Sequence, residues 1–171
     1  MDVDWFASAR TVQRVLNLWP PFLFTGIRIE RLSPDYRYCR VALRLRPWNK
    51  NGNGTHFGGS LFAMTDPVYS MMLMGIFGKA YRIWDKEADI DYLRPGRGRV
   101  YAEFRLTDGQ LDAIRRSTSQ GDKALPEFVV EVKDESGEVI SRLRRVLYVR
   151  KKPPKQARKR HEPALPQGRD G

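Results

Sequence analysis

The stretch that most constrains the fold spans residues 49–77, where a polar loop rich in glycine and asparagine leads directly into the most apolar segment of the chain. Glycines in the loop let the backbone turn tightly and approach a ligand closely. Ser60 then opens a run of helix-compatible residues that ends at Phe77, and Gly78 provides the stop signal. Because apolar side chains fall on every side of this predicted helix, residues 60–77, we expect protein to surround it.

Length and composition fit one domain. With 171 residues, of which 41% are hydrophobic, the chain can form one domain with a real core, whereas two domains would be cramped. The single Cys39 excludes an internal disulfide and a cysteine-rich zinc site. The N-terminus, MDVDWF, is acidic where a signal peptide would be basic, so we expect a cytoplasmic protein. We expect no membrane span, because the apolar run is shorter than roughly 20 residues and carries Asp66 and Pro67.

The excess of positive charge is concentrated at the C-terminus. Residues 151–171 contain seven Lys/Arg, two acids and four prolines, and they hold nearly half of the formal net charge of +11. Such a segment cannot bury enough apolar surface to fold alone, so we predict a folded domain over residues 1–152 and a disordered basic tail over 153–171. A basic tail can bind nucleic acid or anionic membrane. We favour a solubilising extension instead, because no aromatic residue interrupts the basic run to stack on bases.

Periodicity in the rest of the chain predicts an α+β fold. Apolar residues at three- and four-residue spacing predict an amphipathic helix over residues 4–19, with Asp4 as its cap and Pro20 at its end. Alternating segments predict a mostly antiparallel sheet of about six strands, and the pattern after Thr107 predicts a short peripheral helix. The predicted strands lie within 26–33, 36–46, 81–93, 99–106, 128–134 and 139–149. We expect this sheet to curve around the central helix.

Three segments carry a family pattern: NKNGNGTHFGGSLFAMTDP, IWDKEADIDYLRPGRG and the closing LYVRKK. Over about residues 21–152 the chain resembles hotdog-fold acyl-CoA thioesterases, and within them the tetrameric acyl-CoA thioesterase group with its DUF4442 and PaaI-like members. Gly58, Gly59 and Asp66 keep the spacing of the HGG(x)6–7D/E motif of phenylacetate-pathway thioesterases. The chain departs from that motif at Phe57, which precedes the glycines, and at Pro67, which follows the acid. The resemblance implies hydrolysis of an acyl-CoA or related acyl thioester, with coenzyme A entering only as part of the substrate.

Candidate catalytic groups follow from the needs of thioester hydrolysis. Gly58 and Gly59 open a helix, where free N–H groups and a favourable dipole can stabilise an oxyanion. Asp66 is the candidate general base or nucleophile, since apolar surroundings would disfavour its charged form. The alternative is an aspartate that forms structural hydrogen bonds within a helix interface. His56 and Asn51 could orient the carbonyl or the water, or could instead hold the loop together through hydrogen bonds to its backbone.

Substrate contacts are expected from the loop and from an arginine-bearing turn similar to the coenzyme-contacting loop of hotdog enzymes. These residues are Asn53, Thr55, Phe57, Arg94, Arg97 and Arg99. For any one of these arginines the alternative is a solvated surface position. No metal is expected, because His56 and Asp66 alone offer too few ligands.

The spacing of the catalytic candidates predicts a site made by two subunits. Asp66 lies seven residues beyond Gly59, which is roughly 10 Å along a helix and too far to serve its own helix N-terminus. The resemblance implies a two-fold homodimer, in which Asp66 of one subunit faces the glycines of the other, and a dimer of such dimers. Two alternatives stay open: a non-catalytic acyl-CoA-binding or regulatory hotdog protein, and a hotdog dehydratase or hydratase that uses His56 as its base. The sequence does not specify the acyl chain.

Overall fold

The computed structural model describes residues 8–153, in which one antiparallel sheet curves around a central helical segment. The helices are α1 (Ala9–Leu18), α2 (Pro20–Thr25), α3 (Gly58–Ala63), α4 (Val68–Phe77) and α5 (Asp108–Ser117), with 3-10 turns at Pro47–Asn49 and Gly78–Ala80. The strands are β1 (Ile27–Leu32), β2 (Tyr38–Arg44), β3 (Tyr81–Tyr92), β4 (Arg99–Arg105), β5 (Lys123–Ala124), β6 (Glu127–Asp134) and β7 (Val139–Lys151). The predicted tail, apart from its first residue, lies outside the described residues.

The sheet has the strand order β1-β2-β4-β6-β7-β3, and every neighbouring pair is antiparallel. The two-residue β5 adds a short pairing to β7 and was not predicted. Because β2 and β3 lie far apart in the sheet, the chain between them crosses its concave face and places α4 in the core. Met72 and Leu73 of α4 are fully buried there. This is the hotdog arrangement, and the predicted α+β class is confirmed.

The inward-facing strand positions explain why the sheet closes on the helix. Cys39, Val41 and Leu43 of β2 are completely buried, whereas Arg40 and Arg44 lie on the other face, as the alternation of the sequence predicts. The predicted helix after Thr107 is also confirmed, with a capping box between Thr107 and Gln110 at its start.

The beginning of the chain differs from the prediction. The described helix α1 starts at Ala9, and the Ser8 hydroxyl, not Asp4, caps it by accepting the N–H of Thr11 at 3.1 Å. Residues 4–7 of the predicted helix lie outside the described residues. Pro20 ends α1 as predicted but also starts α2, because proline lacks the N–H that the first turn of a helix leaves unpaired.

The central helix is not continuous. It starts at Gly58 rather than Ser60, and it breaks between α3 and α4 at residues 64–67, where the Asp66–Pro67 peptide is cis. Proline in a helix interior removes a hydrogen bond and clashes with the preceding turn. The prediction of one continuous helix over residues 60–77 did not take this effect of Pro67 into account.

The helical stretch from Gly58 to Ala80, counted as one, is 23 residues long. It is therefore longer than the apolar run of residues 60–77 on which the expectation of no membrane span was based. By length and composition alone it qualifies as a membrane-spanning candidate. Half of its most apolar window is buried inside the structure, and a core helix passes the same test, so one such helix is weak evidence for a span.

Candidate active site

The loop before α3 is organised by Asn51. Its Oδ1 accepts the backbone N–H groups of Asn53 (3.0 Å) and Thr55 (3.1 Å). Its Nδ2 donates to the Thr55 hydroxyl (2.9 Å) and to the His56 carbonyl (3.1 Å). Both ends of the amide are thus engaged within the loop, which favours the structural alternative for Asn51. Its direct contact with substrate stays a prediction.

His56 is buried at the base of this loop. Its backbone N–H donates to the Gly96 carbonyl at 2.9 Å, and its Nε2 donates to the Gly98 carbonyl at 3.2 Å. Nε2 therefore carries the proton, and Nδ1 is a buried acceptor without a partner among the residues described. Burial lowers the pKa of His56, with the bond to Gly98 acting in the opposite direction, so the imidazole is neutral at pH 7.

Two backbone amides at the start of α3 are free. The N–H groups of Ser60 and Leu61 donate to the Phe57 carbonyl, whereas those of Gly58 and Gly59 donate to no residue in the described part of the chain. A Cβ at Gly59 would lie 2.4 Å from the Phe57 ring. The Phe57 ring therefore packs against the Cα of Gly59, where only glycine fits without moving the ring.

Tyr92 is a neighbour of these amides that the sequence analysis missed. Its hydroxyl oxygen would lie 3.0 Å from a Cβ at Gly58. Tyr92 ends β3, and no motif in the sequence marks it. Only its position directly before the arginine-bearing turn could have suggested a role.

A surface cavity of about 690 Å³ joins the loop, the start of α3 and the turn after β3. It is lined by Asn51, Asn53, Thr55, His56, Phe57, Gly58, Gly59, Leu61, Tyr92, Leu93, Arg94, Pro95, Gly96 and Arg97. The structure therefore brings together all of the predicted site residues except Asp66 and Arg99. The two hydrogen bonds of His56, from its N–H to Gly96 and from Nε2 to Gly98, join the two segments.

The three predicted arginines have different surroundings. Arg94 is exposed and pairs with Glu138 at 2.9 Å, and Arg97 forms no ion pair within residues 8–153. Arg99 lies outside the cavity, where its Nη2 binds both carboxylate oxygens of Glu30 at 2.6 and 2.5 Å. Arg99 thus does not line the cavity with the other two arginines, because an acidic partner on β1 holds it, and its contact with substrate stays a prediction.

Asp66 lies away from this cavity, in the break between α3 and α4. Its Oδ1 accepts Arg145 Nη1 at 2.9 Å, and 45% of its side chain is exposed. Arg145 also donates from Nη2 to the Thr65 hydroxyl (2.7 Å) and the Phe62 carbonyl (3.0 Å), with only 2% of its own side chain exposed. The prediction that apolar side chains surround Asp66 is wrong, because a buried guanidinium from β7 holds its carboxylate.

A second carboxylate shares Arg145. Asp85 Oδ1 lies 3.7 Å from Arg145 Nη1, and the Asp85 side chain is 20% exposed. Burial raises the pKa of Asp85, and the charge of Asp66 acts in the same direction, while the Ser70 hydroxyl and Arg145 oppose it. Neither Arg145 nor Asp85 was predicted as a site residue.

The described side chains do not form a cluster of metal ligands. Within residues 8–153, no three His, Cys, Asp or Glu side chains gather in a way that could hold a metal ion.

Comparisons with known proteins agree with this architecture. The family model described as "Domain of unknown function (DUF4442)" matches residues 8–149. A Pseudomonas aeruginosa protein of unknown function, named "Probable Thioesterase", is similar with a TM-score of 0.74 and 23% identity over 84% of this chain and 95% of its own. A comparison with curated proteins finds no match.

Two further solved structures show the same fold. A Haemophilus influenzae thioesterase has a TM-score of 0.61 at 14% identity, over 82% of this chain and 88% of its own. A variant of the phenylacetic acid degradation protein PaaI from Thermus thermophilus has a TM-score of 0.53 at 22% identity, over 75% of this chain and 97% of its own. At these identities the likeness concerns the fold.

Proposed function

The chain belongs to the DUF4442 family, and we propose that it is a thioesterase that hydrolyses an acyl-CoA or a related acyl thioester. The observation that carries the proposal is the cavity at the start of α3, where two free backbone amides, a buried neutral histidine and exposed arginines lie together. The names of the structural neighbours from Pseudomonas aeruginosa and Haemophilus influenzae point to the same chemistry.

The free amides of Gly58 and Gly59 suit the oxyanion of the tetrahedral intermediate. Thioester hydrolysis places negative charge on the carbonyl oxygen, and preorganised N–H donors in a site shielded from water stabilise that charge. Phe57 packs over Gly59 and provides part of this shielding. His56 lines the same cavity and is the proposed residue that orients the substrate or a water molecule; its Nδ1 is a buried acceptor without a partner among residues 8–153.

Asp66 is the proposed general base or nucleophile. Arg145 binds Oδ1, whereas Oδ2 has no hydrogen-bond partner in the part of the chain that the structure describes. Arg145 thus fixes the orientation of the carboxylate and leaves one oxygen available for a water proton or for the carbonyl carbon. As a base, Asp66 takes a proton from water, the hydroxide adds to the carbonyl carbon, the C–S bond breaks, and the proton passes to the coenzyme A thiolate. As a nucleophile, Asp66 forms a mixed anhydride as the C–S bond breaks, and water then hydrolyses the anhydride, which releases the acid, restores the carboxylate and supplies the proton for the thiol.

A homodimer would complete the site, because Asp66 does not line the cavity that holds the amides. Strand β3 supports this assembly: it is 12 residues long and ends the sheet, and such an edge is a template for pairing with another strand. In a two-fold dimer, Asp66 of one subunit would face the amides of the other, with two equivalent sites. A dimer of dimers is the larger assembly that we propose.

Arg94 and Arg97 are the proposed partners of the coenzyme phosphates. Both line the cavity and are exposed, and guanidinium groups pair well with phosphate. Asn53, Thr55 and Phe57 line the same cavity and would contact the pantetheine end of the substrate. We propose a cytoplasmic enzyme that needs no separate cofactor and binds neither nucleic acid nor membrane.

A screen of thiol release from acetyl-, hexanoyl-, decanoyl- and palmitoyl-CoA tests the proposal. Wild-type protein should hydrolyse at least one of them, and Asp66→Asn should lose about 10²-fold or more in turnover, because the amide cannot act as a base. Asp112→Asn, which changes an exposed acid paired with Arg115 on α5, is the matched control and should keep wild-type turnover. Absence of hydrolysis for every substrate, or equal turnover by Asp66→Asn, would contradict the proposal.

The unpartnered Nδ1 of His56 supports a second candidate, a hydratase or dehydratase with His56 as its base. A neutral buried imidazole with a free acceptor is suited to proton abstraction. Hydration of a 2-enoyl-CoA, lost in His56→Asn and retained in Asp66→Asn, would favour this candidate. Binding of acyl-CoA without any turnover would favour the non-catalytic alternative.

A further inference from the structure

An apolar cavity of about 260 Å³ between α1 and α4 takes no part in the mechanism described above. It is lined by Val12, Val15, Leu16, Pro67, Ser70, Met71 and Met74. Val12 and Met71 are buried at its inner end, while Val15, Leu16 and Met74 are only half-buried. The cavity is therefore a pocket that opens to solvent at one end.

The pocket offers nothing for a polar ligand to bind. Ser70 is its one polar side chain, and its hydroxyl donates to the Pro67 carbonyl at 2.8 Å. The remaining lining side chains are aliphatic, proline or thioether groups. A pocket of this kind favours a hydrocarbon, because burial of apolar surface is the main contact that it can make.

The pocket adjoins the carboxylate cluster. Pro67 directly follows Asp66 in the chain, and Ser70 lies beside Asp85, the acid that shares Arg145 with Asp66. A thioester carbonyl bound at Asp66 would therefore lie near the pocket, and the hydrocarbon attached to it could continue between the two helices.

We propose that this pocket binds the acyl chain, so that the substrates are medium-chain acyl thioesters rather than acetyl ones. The inference rests on the proposed function. It assigns the two ends of the substrate to two subunits: the subunit that supplies Asp66 holds the acyl chain, and the loop of its partner holds the coenzyme. Met71 and Met74 fit this role, since thioether side chains adapt to flexible hydrocarbon.

The proposal has a quantitative consequence for chain length. Each methylene buried in the pocket should raise kcat/KM about fourfold, until the pocket is full. A mere packing gap between α1 and α4 would give no such increase, and filling it would change stability rather than substrate preference.

Leu16→Phe and Leu18→Phe form a matched pair of variants on the same helix. Leu16 lines the pocket, whereas Leu18 does not and is 70% exposed. The experiment compares kcat/KM for acetyl-, hexanoyl- and decanoyl-CoA in full-length wild type and both variants. Leu16→Phe should lower the value for decanoyl-CoA at least tenfold and leave acetyl-CoA unchanged, and Leu18→Phe should resemble wild type. Met74→Phe, which fills the pocket from α4, replaces Leu16→Phe if that variant does not fold.

Calorimetric titration with decanoic acid separates this inference from the proposed function. Hydrolysis with the same chain-length profile in wild type and Leu16→Phe would overturn the acyl-pocket assignment, as would equal decanoate binding by both proteins. If no thioester is hydrolysed, decanoate binding by wild type and Leu18→Phe but not by Leu16→Phe supports the pocket while the thioesterase proposal fails. Absence of decanoate binding to the wild type would also overturn the assignment.

Discussion

Replacing Arg145 with methionine tests whether its ion pair with Asp66 holds the break between α3 and α4. The change removes three hydrogen bonds: those to Asp66, Thr65 and the Phe62 carbonyl. Removing one partner of a buried ion pair costs about 3–5 kcal/mol. Since the Asp66 side chain is 45% exposed, water can solvate it again, and we expect a loss near the lower end of that range, about 3 kcal/mol.

Arg144→Met is the matched control, because Arg144 is the next residue on the same strand and also pairs with acids. Its partners Asp89 and Glu127 are at the surface, where ion pairs contribute little, so only a small loss is expected. Urea denaturation followed by tryptophan fluorescence gives the free energy of unfolding of both variants. Equal losses for Arg144→Met and Arg145→Met, or a loss below about 1 kcal/mol for the latter, would refute the structural role of Arg145.

Burial raises the pKa of Asp85 in the folded state, so stability falls as pH rises from about 4 through that raised pKa. Asp85→Asn, which has no such proton to lose, should therefore gain stability relative to wild type over this rise in urea titrations. Gly75→Ala should lose about 1–3 kcal/mol of unfolding free energy, because its Cβ would lie 2.4 Å from the buried Tyr36 ring, whereas Gly109→Ala meets no atom within 4 Å and should not lose stability. Burial lowers the pKa of His56 in the folded state, so at acidic pH the unfolded state binds more protons than the folded state. As the pH drops below about 6.5, wild-type stability should therefore decrease more steeply than that of His56→Gln, as chemical denaturation at several pH values would show.

Each of these three predictions has a contradicting result. A constant stability difference between Asp85→Asn and wild type at every pH would mean that Asp85 is not the desolvated acid. Equal melting temperatures for Gly75→Ala and wild type would mean that Tyr36 moves aside easily. Parallel pH profiles for wild type and His56→Gln would mean that His56 is not buried in solution.

The strands could be predicted because their signal is local. Period-two alternation depends on which face of the sheet each side chain occupies, and it identifies β2 from Cys39 to Leu43 without knowledge of the partners. The loop and α3 are adjacent in sequence, so Gly58 and Gly59 could also be identified as candidate oxyanion donors. The turn at Arg94 and Arg97 joins them through two hydrogen bonds of His56, which no local pattern shows.

The surroundings of Asp66 could not be predicted from its neighbours in sequence. Arg145 is 79 positions away and reaches Asp66 only because β7 lies beneath the break between α3 and α4. A signal was nevertheless present in the alternation of β7. Leu143, Arg145 and Leu147 share the inward face and are all buried, so an arginine at the middle position requires a buried partner.

Subunit complementation tests the central claim that Asp66 and the amides of Gly58 and Gly59 act together across a dimer. Asp66→Asn and Gly59→Val, whose new side chain would displace the Phe57 ring, should each be inactive alone. After the two variants are unfolded together and refolded as a mixture, half of the dimers should be heterodimers with one intact site of two. The mixture should therefore recover about one quarter of wild-type turnover. A mixture that stays inactive although heterodimers are shown to form, or turnover by a dilute monomer, would contradict the shared site.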